Sequence, residues 1–242
     1  MTTPYEQARL DTFHRIQAIE DATTCLAAGV SMIASAGWQA RTGQPALQMI
    51  ASGVEKLGKL TLGMMRESDT GAFPNQKILR GFGHDIGAVV RSMECRVENR
   101  ATTMGKSYVL ELKRSLDDDP YWPTMVEALD TAASASAGRY VHESALGGSA
   151  PKSRSVQEIW QHLDSTAIAE LGNLSDLAGA MNVEALIRVR VRLLTSVVRW
   201  WHLVLRVWQH GLAGPMGMQF ASEVSLQWSA LPDELRGFAK RL

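Results

Sequence analysis

Apolar residues recur along almost the whole chain at spacings of three, four and seven, and no stretch alternates with the period of two that a half-buried strand needs. This pattern restricts the chain to helices that each bury one stripe. From Tyr5 to about Trp38 the stripe is Leu10, Phe13, Ile16, Ile19, Leu26, Val30 and Ile33, with Arg9, Asp11, Arg15 and Asp21 on the other side. Thr42-Gly43-Gln44-Pro45 breaks the pattern, and Pro45 suits the first turn of a second helix running to about Arg66. Its stripe is Ala46, Met49, Ile50, Val54, Leu57, Leu60 and Met64. Gly53, Gly58 and Gly63 inside that helix each cost about 1 kcal/mol relative to alanine, a loss that close helix contact would offset.

A third helix is predicted from Ile86 past Val97, with a kink near Gly105 before it reaches Leu116. His84-Asp85 in front of it reads as a helix cap rather than as a catalytic pair, because adjacent helical residues diverge by roughly 100°. Asp117-Asp118-Asp119-Pro120 reads as the start of a fourth helix, with Asp119 as cap, and not as a metal site. The small, polar, proline-punctuated stretch 147–155 is the best linker or loop in the chain. Beyond it, helices are expected at roughly 156–181, 183–210 and 216–228. The expected fold is all-α, an antiparallel helical bundle of about six to eight helices. Residues 1–146 form its core, 147–155 a linker and 156–242 a C-terminal helical extension packing on the core, or the whole is a single domain.

With 242 residues the chain can bury a self-sufficient core. Lys plus Arg and Asp plus Glu both number 25, so any affinity for nucleic acid or an anionic membrane must come from a local patch. Cys25 and Cys95 lack the spacing of a zinc site or a disulfide framework, which suggests a reducing compartment. The N-terminal residues have neither the basic start nor the apolar run of a secretory signal, and Arg199, His202, Arg206 and His210 interrupt the one long apolar stretch. A cytoplasmic protein without a membrane span is expected. No phosphate loop, dinucleotide fingerprint, nucleophile elbow or paired metal-ligand motif is present, so neither a metal nor an organic cofactor is implied.

Three local patterns bear a family likeness. They are Gly53-Val54-Glu55-Lys56-Leu57-Gly58-Lys59-Leu60 within the second helix, Gly83-His84-Asp85-Ile86 opening the third, and Arg139-Tyr140 before a glycine-rich loop. Over roughly residues 1–150 the chain thereby resembles the HEPN superfamily, helical domains of toxin-antitoxin, abortive-infection and RNA-processing systems. The resemblance implies a dimerising bundle, action on RNA, and an antitoxin or sensor protein as partner. Many active members cut RNA without metal, using an Arg and a His separated by four to six residues. Here only Arg9 and His14 have that spacing, whereas Arg80/His84, Arg139/His142, Arg199/His202 and Arg206/His210 are closer together.

The helix expected over 183–210 carries Arg188, Arg192, Arg199, His202, Arg206 and His210 at spacings that share one strip, with Glu184 its one acid. Such a strip either tracks RNA phosphates or is a solvated or acid-paired face. Cleavage of RNA would need a base near neutral pH for the ribose 2′-hydroxyl and a fixed cation for the phosphorus. Arg206 with His210 fits that demand first and Arg139 with His142 second, with Arg188, Arg192, Arg199, His202 and Tyr140 as RNA-binding residues. The rival expectation is a non-catalytic interaction or dimerisation module. In that reading Trp200, Trp201 and Trp208 form an interface and the arginines pair with acids.

Overall fold

A computed structural model describes residues 3–35, 43–81, 85–133, 154–171, 183–239 and 241. The described residues form eleven α-helices and one 3-10 turn, and none of them is in a strand. In chain order these are α1 (Pro4–Ala34), α2 (Gln44–Thr70), α3 (Gln76–Gly81), α4 (Ile86–Thr103), α5 (Ser107–Asp117) and α6 (Trp122–Ala133). There follow α7 (Val156–Leu171), α8 (Val183–Gln209), α9 (Gly214–Gln219), α10 (Ala221–Ser225), the 3-10 turn Leu226–Ala230 and α11 (Asp233–Ala239). The helix number exceeds the expected six to eight for a physical reason. Gly105, at φ 65°, takes the left-handed conformation and divides the expected third helix into α4 and α5. Gly211 and Gly214, both at φ 78°, likewise end α8 and leave the last segment as short pieces.

The caps follow the local chemistry. Asp85 accepts the Ala88 amide at 2.6 Å and starts α4, as expected, while His84 lies outside the described residues. Ser155 and Glu158 form a reciprocal capping box at the start of α7, with Glu158 accepting the Ser155 amide at 2.6 Å. The rest of the expected linker, 147–153, lies outside the described residues, as do 134–138 and 172–182.

One apolar cluster runs from Ile19 of α1 to Ala239 of α11, so the C-terminal helices share a core with the N-terminal ones. Helix α1 packs antiparallel on α2: Gly29 lies against Ala46 and Ile50, and Gly53 against Ala22 and Leu26. The bundle is not antiparallel throughout. Trp208 donates its indole N–H to Thr61 Oγ1 at 2.9 Å, Trp200 lies beside Gly58, and Gly214 follows against Ser68. Advancing along α8 therefore means advancing along α2, and these two central helices are parallel. The Trp200, Trp201 and Trp208 side chains are fully buried within the chain, which removes them as an interface. No helix among the described residues is long and apolar enough to cross a membrane.

The α1–α2 crossing depends on the absence of side chains. A Cβ on Gly53 would sit 2.7 Å from the Ala22 carbonyl oxygen and 2.6 Å from Leu26 Cγ. Backbone cannot yield as a flexible side chain does, so the helices would have to separate. Gly53→Ala is expected to destabilise the protein by about 1–3 kcal/mol in urea unfolding, despite alanine's better helix propensity. Equal or greater stability would show that the helices do not approach this closely.

Candidate functional site

Helix α8 is built around an unbroken apolar face, Val189, Leu193, Val197, Trp200, Val204 and Trp208, all buried. Its cationic strip borders that face. The sequence reading left open whether the strip is solvated, and the structure turns most of it inward.

Arg188 alone among its described members behaves as a surface residue, with its side chain 65% exposed and Nη2 3.5 Å from Glu184 one turn earlier. Arg192 places Nη2 3.2 Å from Glu170 of α7 and lies flat over the Tyr121 ring, 4.6 Å from its centre. Tyr121 donates its hydroxyl to the same Glu170. Burial and that carboxylate push the Tyr121 hydroxyl up to about 12, so it remains a donor. Arg199 donates to Asp119 at 2.7 Å and covers the Phe238 ring. The Asp119 side chain is fully buried and also accepts from Ser196 Oγ at 3.0 Å and from the Tyr121 amide at 3.1 Å. It therefore caps a turn, as expected, but its main partner is the α8 arginine.

His202 is 1% exposed, stacks on Trp228 and accepts the Arg206 Nε–H at 3.1 Å through Nε2. Burial, and secondarily the Arg206 charge, lower it to about 4. The ring is thus neutral at pH 7, with its proton assigned to Nδ1 because Nε2 is the acceptor. It is an internal support for Arg206, out of reach of any polyanion. The arginines expected to track RNA are corrected in the same sense: Arg192 and Arg199 are held by carboxylates because α6 and α7 pack over this side of α8. Arg139, Tyr140 and His142 lie outside the described residues.

The C-terminal end of the strip is different. Arg206 gives Nη1 to Gln209 at 2.9 Å and lies over the Tyr108 ring, 5.7 Å from its centre. The His210 ring is 5.9 Å from the same tyrosine. Burial, then Lys106, then Arg206 lower the His210 imidazole below its ordinary value. Lys106 and Tyr108 arrive from the start of α5, which runs antiparallel to α8. No sequence signal pointed to either, because their proximity arises from tertiary packing alone. No group of three metal-ligating side chains occurs among the described residues.

No protein-family model matches this chain, and neither a curated protein nor a solved structure shows significant similarity to it.

The buried His202 has a thermodynamic consequence. Its folded-state value near 4 lies below the ordinary 6.5 of an unfolded histidine, so its contribution is complete above pH 6.5 and is lost as pH falls toward 4. Glu94, raised to about 7 mainly by burial, and Asp164, raised to about 6 by the same cause, act in the opposite direction because they bind protons more tightly when folded. Comparison with His202→Gln, which keeps an acceptor for Arg206, isolates the histidine. Between pH 7.5 and 4.5 the wild type should lose about 2–3 kcal/mol more stability than the variant in urea unfolding. Parallel pH profiles would mean that His202 is not buried as a neutral ring.

Proposed function

We propose that the chain is a non-catalytic helical interaction module that pairs with a second copy of itself through the start of α1. The observation that carries this reading is an apolar helix end with nothing packed on it. Helix α1 is antiparallel to α2, the Arg15–Glu67 pair sets its first turns beside the end of that helix, and Leu10 and Phe13 lie on the side turned away from it. There Tyr5, Phe13 and Leu10 are 72%, 56% and 44% exposed, whereas Ile19, Leu26, Val30 and Ile33 further along α1 are built into the core. Thr3 and Glu6 form a reciprocal cap, so the projecting end is a finished helix. A cleft of about 410 Å³ lies along Glu6, Arg9, Leu10 and Phe13.

Charge favours a second copy as the occupant. Glu6, Arg9, Asp11 and Arg15 alternate in sign along this end, and the whole chain is neutral, so the surface does not select a strongly acidic or basic partner. In a two-fold antiparallel pair, Leu10 of each helix meets Phe13 of the other. Two-fold self-pairing is also the commonest symmetry of soluble oligomers. Light scattering across concentration should therefore show a monomer–dimer equilibrium that Phe13→Glu or Leu10→Glu weakens at least about tenfold, equivalent to 1.4 kcal/mol, with no change in helicity. A wild type that stays monomeric at every concentration would end the proposal.

A second reading, action on RNA, is favoured by the Arg206 and His210 pair. They lie one turn apart at the C-terminal end of α8, and an imidazole whose protonated form is disfavoured, beside a fixed guanidinium, is the combination that metal-independent cleavage at a ribose 2′-hydroxyl needs. In this reading the chain is a HEPN-like ribonuclease or RNA binder of a prokaryotic defence or toxin-antitoxin type system, cytoplasmic and controlled by an antitoxin or sensor protein. Total RNA incubated with the protein should then be cut in the presence of EDTA, and His210→Ala should lower the rate by about 10²-fold or more. Absence of cutting leaves self-association as the sole activity proposed.

A further inference from the structure

We infer that Lys106, Tyr108, Arg206 and His210 form a binding site for a single phosphate group at the junction of α5 and the end of α8. Two nitrogen-bearing side chains meet at one tyrosine ring, and a third stands close to them in the chain fold. Arg206 lies over its face, His210 packs beside it, and Lys106 stands two residues ahead of it on the turn that begins α5. Lys106 and Arg206 are near enough to His210 that both charges oppose its protonation, and no acid enters that balance.

The absence of a counter-charge separates this cluster from the rest of the strip. Arg192 has Glu170, Arg199 has Asp119 and Arg188 has Glu184. Among the described residues neither Lys106 nor Arg206 makes an ion pair. The neighbouring cation that does is Arg100, which reaches the Leu212 carbonyl at 2.7 Å and is held by Asp69. Arg206 spends Nε on His202 and Nη1 on Gln209, which leaves Nη2 as its outward donor. His202, buried and neutral, fixes the guanidinium plane from behind, so this donor is aimed before any ligand arrives. A fixed guanidinium, an ammonium on a flexible stem and an imidazole that gains a proton beside an anion together match the shape and charge of a phosphate. Two like charges held near a third group without an acid cost free energy, and an anion returns it.

The ligand is a phosphate monoester or diester group, carried either by a small molecule or by RNA, and the inference requires neither self-association nor cleavage. The test follows the His210 imidazole by proton–nitrogen NMR in the full chain while inorganic phosphate, adenosine monophosphate or a single-stranded RNA 12-mer is added at constant ionic strength. Binding of any one of them should raise the His210 midpoint by at least half a unit, while His14 and His162, both exposed, remain unmoved. Lys106→Gln should weaken that response by about tenfold, and because Lys106 is a half-exposed turn residue its loss leaves the core untouched. The same change should also reduce the salt slope of RNA binding by about one charge if RNA is the source. A response to the two small phosphates but not to RNA assigns the site to a free phosphate compound. A His210 midpoint unmoved by all three, or moved equally by chloride, overturns the inference, as does a Lys106→Gln variant that responds like the wild type.

Discussion

The buried carboxylate of Asp119 organises the second half of the molecule. A carboxylate withdrawn from water costs several kcal/mol unless its oxygens are occupied, and a guanidinium with two further donors meets that condition. Arg199, Ser196 and the Tyr121 amide supply them. Because two of the three come from α8, the entry to α6 cannot shift along α8 without leaving charge unpaired in the interior. The Trp122–Trp200 stack, 6.1 Å between ring centres, and the Arg192–Tyr121–Glu170 set extend this register to either side. The strip on α8 is therefore consumed in holding helices together over most of its length.

How much of this was legible in the sequence depends on the range of the interaction. Helix α1, α2 and the start of α4 followed from apolar spacing, Pro45 and the Asp85 cap, all of which act within a few residues. The Gly53 contact was legible as well, since a glycine inside a helix needs a compensating neighbour. The parallel course of α2 and α8 was not, because 147 residues separate Thr61 from Trp208 and nothing local encodes which helices meet. The strip was read correctly as one side of a helix, yet its exposure depended on where Asp119 and Glu170 would lie. Tryptophans so close together in sequence gave a similar ambiguity between core and interface, and the bundle resolves it by placing them at its centre.

Two regions of the molecule consequently differ in kind. Along the middle of α8 the apolar side chains are buried, Arg192 and Arg199 meet carboxylates, and the Trp201 indole reaches the Val224 carbonyl. At the start of α1, Leu10 and Phe13 lie on a side of the helix that α2 does not cover. A helix end that keeps its cap and presents apolar residues away from its neighbour is suited to a contact outside the chain.

Arg206 joins these themes in one side chain. Its Nε bond to a neutral histidine fixes the guanidinium, and that bond survives only while His202 remains unprotonated, because a protonated imidazole has no acceptor to offer. Burial keeps His202 near 4, so the bond to Arg206 is intact at neutral pH. The two histidines on one helix thus have separate roles: the inner one supports, and the outer one senses charge. Substituting Arg206 would disturb both together, with the Trp228 stack as an additional casualty. Lys106, attached to the same cluster only through space, is the side chain whose removal reports on the outer face alone.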